Sequence, residues 1–195
     1  MNAPNILSVI RIILSPLFLY LFLTEDITLQ RVSVVVFFIA VLTDWYDGWY
    51  ARKYKSITKT GIFLDPLADK ILTTFAFILF YMKRILPVWM LLIIALRDIV
   101  ITILRSYDEY RGLTIRTSKI AKTKTFLQMT YIFFILALFI LPTFNISEST
   151  RMSINDFLFN SSTNYIFMFV ITLITLYTGI TYFFEKRHYK NNEIN

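Results

Sequence analysis

Six apolar runs, each long enough to cross a hydrocarbon layer of about 30 Å, decide what this 195-residue chain can fold into. They lie at roughly 6–24, 31–52, 60–82, 86–106, 123–142 and 163–184, and they read as membrane-spanning helices. The composition agrees. Hydrophobic residues make up 56% of the chain and charged residues 17%, against about 25% charged in an average soluble domain. No repeat or low-complexity segment divides the sequence, so the expectation is one membrane domain over 1–195. The first run carries an internal arginine, Arg11, and lacks a basic leader and a small-residue cleavage site, so it reads as a retained span. Pro4 and Asn5 suit the start of that helix, Asn5 as its cap, and the opening can lie along the interface before it inserts.

The basic residues set an orientation. Arg52, Lys53, Lys55 and Lys59 fall in the second connection, Arg105 to Lys124 around the fourth, and Lys186, Arg187 and Lys190 after the last span. These connections share one side, so the positive-inside rule puts both termini in the cytoplasm; the expected location is the inner (cytoplasmic) membrane. The net charge of +7, spread between apolar spans, suits anionic lipid and phosphate, and no nucleic acid is expected. The polar stretch "NISESTRMSINDFLFNSSTN" reads as an external loop, and Trp45, Trp49, Tyr50, Trp89, Tyr177 and Tyr182 read as interfacial aromatic anchors. There is no cysteine and a single histidine, His188, in the basic tail, which leaves no thiolate metal site and no Ser-His-Asp triad in the spans.

Against this background four acids stand out. Asp44 and Asp47 are three residues apart and Asp65 and Asp69 four apart, so each pair occupies one helix face. The connection between them is short, which predicts antiparallel, adjacent helices with both pairs near the cytoplasmic end. A carboxylate in the membrane interior costs about 2.5–3.5 kcal/mol, and neighbouring carboxylates repel further, so a cation must sit among them. Buried ion pairs with Arg52, Lys70 and Arg97 are one answer. The other is metal: an all-oxygen donor set suits hard ions, and four aspartates can hold two Mg²⁺ or Mn²⁺ placed to clamp both sides of a phosphoryl displacement. Gly48 and Gly61 lie beside these faces, and Gly48 with Ala51 leaves a flat strip against which a nucleotide can rest. Arg97, midway along an apolar run, needs a partner in Asp98, the acid cluster or a substrate phosphate. Arg105, Arg116, Lys122 and Lys124 join it as candidates for binding an acceptor phosphate.

"DWYDGWYAR", eight residues, then "GIFLDPLAD" resembles the D-x2-D-G-x2-A-R-x8-G-x3-D-x3-D motif of the CDP-alcohol phosphotransferases, with every fixed position matched. The resemblance implies six transmembrane helices, a homodimer, and transfer of a phosphatidyl or related group from a CDP-linked donor to an alcohol with release of CMP. It also implies two divalent metals on Asp44, Asp47, Asp65 and Asp69, with Asp69 as the catalytic base. The donor nucleotide would lie against Asp44, Asp47, Gly48, Ala51, Arg52, Gly61 and Asp65. Further segments, "NAPNILSVIRIILSPLFLYLF", "LRDIVITILR" and "AKTKTFLQM", are similar to the bacterial phosphatidylglycerophosphate synthase branch, which uses CDP-diacylglycerol and glycerol 3-phosphate. Asp98 stands where many relatives carry glutamate and Ala121 where many carry glycine. The same chemistry with phosphatidylglycerol as acceptor, as in cardiolipin synthases, is the alternative. A cation transporter is a more distant one, disfavoured because the acids cluster at one end and no inverted repeat is visible.

Overall fold

The computed structural model describes the backbone of residues 3–54, 61–114, 119–184 and 188–189, and the side chains of 5–44, 46, 61–113 and 119–184. Among these residues the chain is helical apart from turns and one two-residue pairing. The helices are α1 (Ala3–Leu23), α2 (Ile27–Tyr54), α3 (Gly61–Met82), α4 (Val88–Tyr110), α5 (Lys119–Ile140), α6 (Glu148–Phe159) and α7 (Ser162–Phe184). Short strands β1 (Leu113–Thr114) and β2 (His188–Tyr189) pair antiparallel and tie the α4–α5 connection to the tail after α7.

All six apolar runs are helices. Of these, α1, α2, α5 and α7 are long and apolar enough to cross a membrane, whereas α3 and α4 interrupt their apolar faces with Asp65, Asp69 and Lys70, and with Arg97, Asp98 and Arg105. The outward faces are apolar, as at Leu96, Phe126 and Phe184, a surface that suits lipid contact rather than water. The chain is therefore an all-helical membrane protein.

Local chemistry explains the helix ends. Asp26 starts α2 by accepting from the backbone N–H groups of Thr28 (2.6 Å) and Leu29 (3.4 Å). After α3, Arg84 adopts φ 60°, and Ile85 N–H returns to the Phe80 carbonyl at 2.8 Å, which closes the helix with a left-handed cap. The segment expected as an external loop contains a helix, α6. Ser147 caps it by accepting from Thr150 N–H at 3.3 Å, and Ile154 and Leu158, one turn apart, bury its inner edge.

The opening of the chain also differs from expectation. Helix α1 runs unbroken from Ala3, so no separate interfacial piece precedes it among the described residues, and Asn5 is buried inside the helix rather than capping it. Packing differs as well: α1 lies against both α2 and α3 far more extensively than those two meet each other.

The apolar core occupies the half of the bundle formed by the C-terminal part of α1 and the N-terminal part of α2. Phe18 meets Phe37 (ring centroids 5.0 Å apart), Phe37 meets Phe133 (5.7 Å) and Phe22 meets Phe139 (5.5 Å). At that end Arg31 bonds Thr143 and lies over the Phe144 ring at 4.3 Å, while Lys83 approaches Phe22. The opposite half carries the acids.

Candidate active site

Helix α1 supplies a buried polar stripe. Asn5, Ser8, Arg11 and Ser15 recur at intervals of three, three and four residues, and all four are buried, Arg11 completely. A lone arginine in an apolar helix needs an anion, and Asp44 of α2 provides it: Arg11 Nη1 lies 2.8 Å from Asp44 Oδ1. Arg11 Nε donates to the Ala40 carbonyl at 3.2 Å, one turn earlier in α2, so one guanidinium fork spans backbone and carboxylate together. The Ser8 hydroxyl donates to Asp65 Oδ1 of α3. Ser8 and Arg11, about one turn apart on α1, thus contact acids on two different helices.

The described acids lie within electrostatic reach of one another. Asp65 and Asp69 are close enough for their charge to act on Asp44, and Lys70, bonded to Asp69 Oδ2 at 2.9 Å, feels both Asp44 and Asp98. The Asp44 side chain remains 45% exposed despite its contact with Arg11. Gly61 begins α3 and is buried. Asp47, Gly48, Ala51 and Arg52 lie on the part of α2 whose side chains fall outside the described residues, as Arg116 does altogether.

A second polar cluster sits deeper. Lys124 of α5 donates to both oxygens of Asp98 at 2.6 Å, and Arg97 Nη1 lies 3.1 Å from Oδ1. Gln128 Nε2 donates to Oδ2 at 3.3 Å. Asp98 and Lys124 are almost wholly buried, and two cations share one carboxylate, so the cluster carries surplus positive charge. Arg97 Nε is buried with no hydrogen-bond partner among the described residues. The residues expected to bind acceptor phosphate therefore divide. Arg97 and Lys124 turn inward onto Asp98, whereas Arg105 and Lys122 are exposed.

Sequence reasoning missed Ser8 and Arg11 as partners of the acids. The signal was present, since a charge inside a 21-residue apolar helix requires a counter-ion from another element. Tyr182 was also misjudged. It is buried and donates to Asp108 Oδ2 at 2.9 Å, joining α7 to α4 instead of anchoring at the interface.

Among the described residues no three acidic or histidine side chains gather tightly enough to chelate a metal. The donor chemistry nonetheless fits a hard divalent ion. The carboxylates are all oxygen ligands, and cationic groups already sit on Asp44 and Asp69, as a region of negative potential requires.

Comparison with known proteins extends this picture. The sequence model of the CDP-alcohol phosphatidyltransferase family matches residues 1–185. A protein of Rickettsia typhi named CDP-diacylglycerol–glycerol-3-phosphate 3-phosphatidyltransferase is 30% identical over 182 residues, covering 93% of this chain and 95% of its own length. Proteins of the same name from Bacillus subtilis and Salmonella typhimurium are 35% identical over 140 residues and 37% identical over 133 residues. Each match covers 66% of this chain and 72% of the relative.

Proposed function

The chain belongs to the CDP-alcohol phosphatidyltransferase family, and on that premise we propose that it transfers the phosphatidyl group of CDP-diacylglycerol to glycerol 3-phosphate, giving phosphatidylglycerophosphate and CMP. The observation that supports this reading is that Asp44 of α2 and Asp65 of α3, both at fixed positions of the family motif, are met by Arg11 and Ser8 from one face of α1, with Asp69 near enough for its charge to act on Asp44. The shared name of the relatives supplies donor and acceptor.

Asp44, Asp47, Asp65 and Asp69 would hold two divalent cations, Mg²⁺ or Mn²⁺. When bound, these ions supply charge neutralisation at the donor diphosphate and at the departing CMP. Gly48, Ala51, Arg52 and Gly61, with Asp44, Asp47 and Asp65, form the surface for the donor nucleotide. The acceptor hydroxyl oxygen bonds to the phosphorus bearing the diacylglycerol, the bond from that phosphorus to the CMP oxygen breaks, and Asp69 takes the hydroxyl proton. The exposed Arg105 and Lys122, with Arg116, meet the acceptor phosphate first. Arg97 and Lys124 stand behind them and contribute the surplus positive charge of the Asp98 cluster.

In this reading residues 1–195 form one domain in the cytoplasmic membrane, with six spans, both termini and the active site on the cytoplasmic side, and two chains forming a homodimer. Purified protein given labelled CDP-diacylglycerol, Mg²⁺ and a panel of acceptor alcohols tests the proposal. CMP and phosphatidylglycerophosphate should appear with glycerol 3-phosphate. Turnover with phosphatidylglycerol in its place would reassign the acceptor, and Mg²⁺-dependent ion flux without CMP release would overturn the transferase reading.

A further inference from the structure

The family motif lies on α2 and α3, yet the groups that hold two of its acids in place come from α1. We propose that Arg11 and Ser8 form a positioning arm for the metal site. Each meets one carboxylate oxygen, Asp44 Oδ1 and Asp65 Oδ1, and in this role leaves the second oxygen of each acid available to a metal ion. The inference rests on the proposed role of these acids as metal ligands.

The arm is rigid. Arg11 and Ser8 are fully buried on one face of α1. Arg11 Nε bonds the Ala40 carbonyl while Nη1 lies 2.8 Å from Asp44 Oδ1 as an ion pair, so the planar guanidinium and the carboxylate are held together. Ser15 adds a hydroxyl bond to the Arg11 carbonyl at 2.7 Å but touches neither acid. A carboxylate held by one oxygen presents a single, oriented ligand atom, and this favours an ion with near-ideal octahedral geometry and several retained waters. Supporting hydrogen bonds of this kind commonly contribute about 10–100-fold to metal affinity.

The role separates from mere structural support in a direct Mn²⁺ titration. Wild type, Arg11→Lys, Ser8→Ala and Ser15→Ala are compared in detergent by Mn²⁺ electron paramagnetic resonance, with helical content and monodispersity checked for each. Lysine keeps the positive charge but not the fork, so Arg11→Lys should remain folded and lose about tenfold in Mn²⁺ affinity. Ser8→Ala should weaken binding in the same direction, and Ser15→Ala, on the same buried stripe, should match wild type. Folded Arg11→Lys and Ser8→Ala proteins with wild-type affinity would overturn the positioning role. So would equal loss in Ser15→Ala, which would mark a general packing effect. Wild-type protein that binds no Mn²⁺ would instead remove the metal assignment on which the arm depends.

Discussion

At the scale of single residues, Asp69 and Asp98 make contrasting demands. Asp69 lies at the site and touches only one cation, Lys70, among the contacts resolved for its carboxylate. Asp69→Asn keeps the shape and removes the proposed proton acceptor. It should abolish CMP release while leaving CDP-diacylglycerol binding largely intact, as measured by equilibrium binding beside turnover; equal loss of binding would argue against a base role. Asp98 instead is the shared counter-charge of buried Lys124 and partly buried Arg97. Asp98→Asn leaves Lys124 and Arg97 without a counter-charge and should cost about 3–5 kcal/mol of stability, with a lowered Tm in detergent. Adding Lys124→Met should restore much of that loss. Asp44, Asp65 and Asp69 stood out by spacing, because helical periodicity converts intervals of three and four into shared faces, whereas the side chain of Asp47 lies outside the described residues. Arg11 was visible only as an anomaly. Its partner lies 33 positions away on another helix, and nothing local in the sequence names it.

At the scale of elements, helix ends follow the water boundary less closely than hydropathy suggests. Helix α4 continues to Tyr110 and α5 begins at Lys119, each about one turn beyond its apolar run, because charged residues extend a helix as readily as apolar ones once it has started. Helix α6 was missed for the opposite reason. Its inner edge is narrow, with Ile154 and Leu158 buried within an otherwise polar sequence, so no long apolar run marks it. The contact between α4 and α7 depends on a glycine. A Cβ at position 179 would lie 3.0 Å from Arg97 Cγ and 3.4 Å from Nε. Gly179→Ala should cost little, as the arginine side chain can yield by a few tenths of an ångström. Gly179→Leu should force α4 and α7 apart at a cost of about 1–3 kcal/mol, readable as a drop in Tm.

At the scale of the whole molecule, sidedness is the property most exposed to test. The chain contains no cysteine, so single cysteines report without background. Ser149→Cys on α6 should react with a membrane-impermeant maleimide on intact cells, and Thr123→Cys on α5 only after permeabilisation. The reverse pattern would place the acids on the outer face. The pairing of Arg11 with Asp44 further bears on how the protein is made. Helix α1 leaves the ribosome with an unneutralised guanidinium whose transfer into lipid costs about 2.5–3.5 kcal/mol, and relief comes only when α2 has been synthesised. The first two helices should therefore partition from the translocon together as a hairpin, and a reporter fused after α1 alone should integrate less completely than one fused after α2.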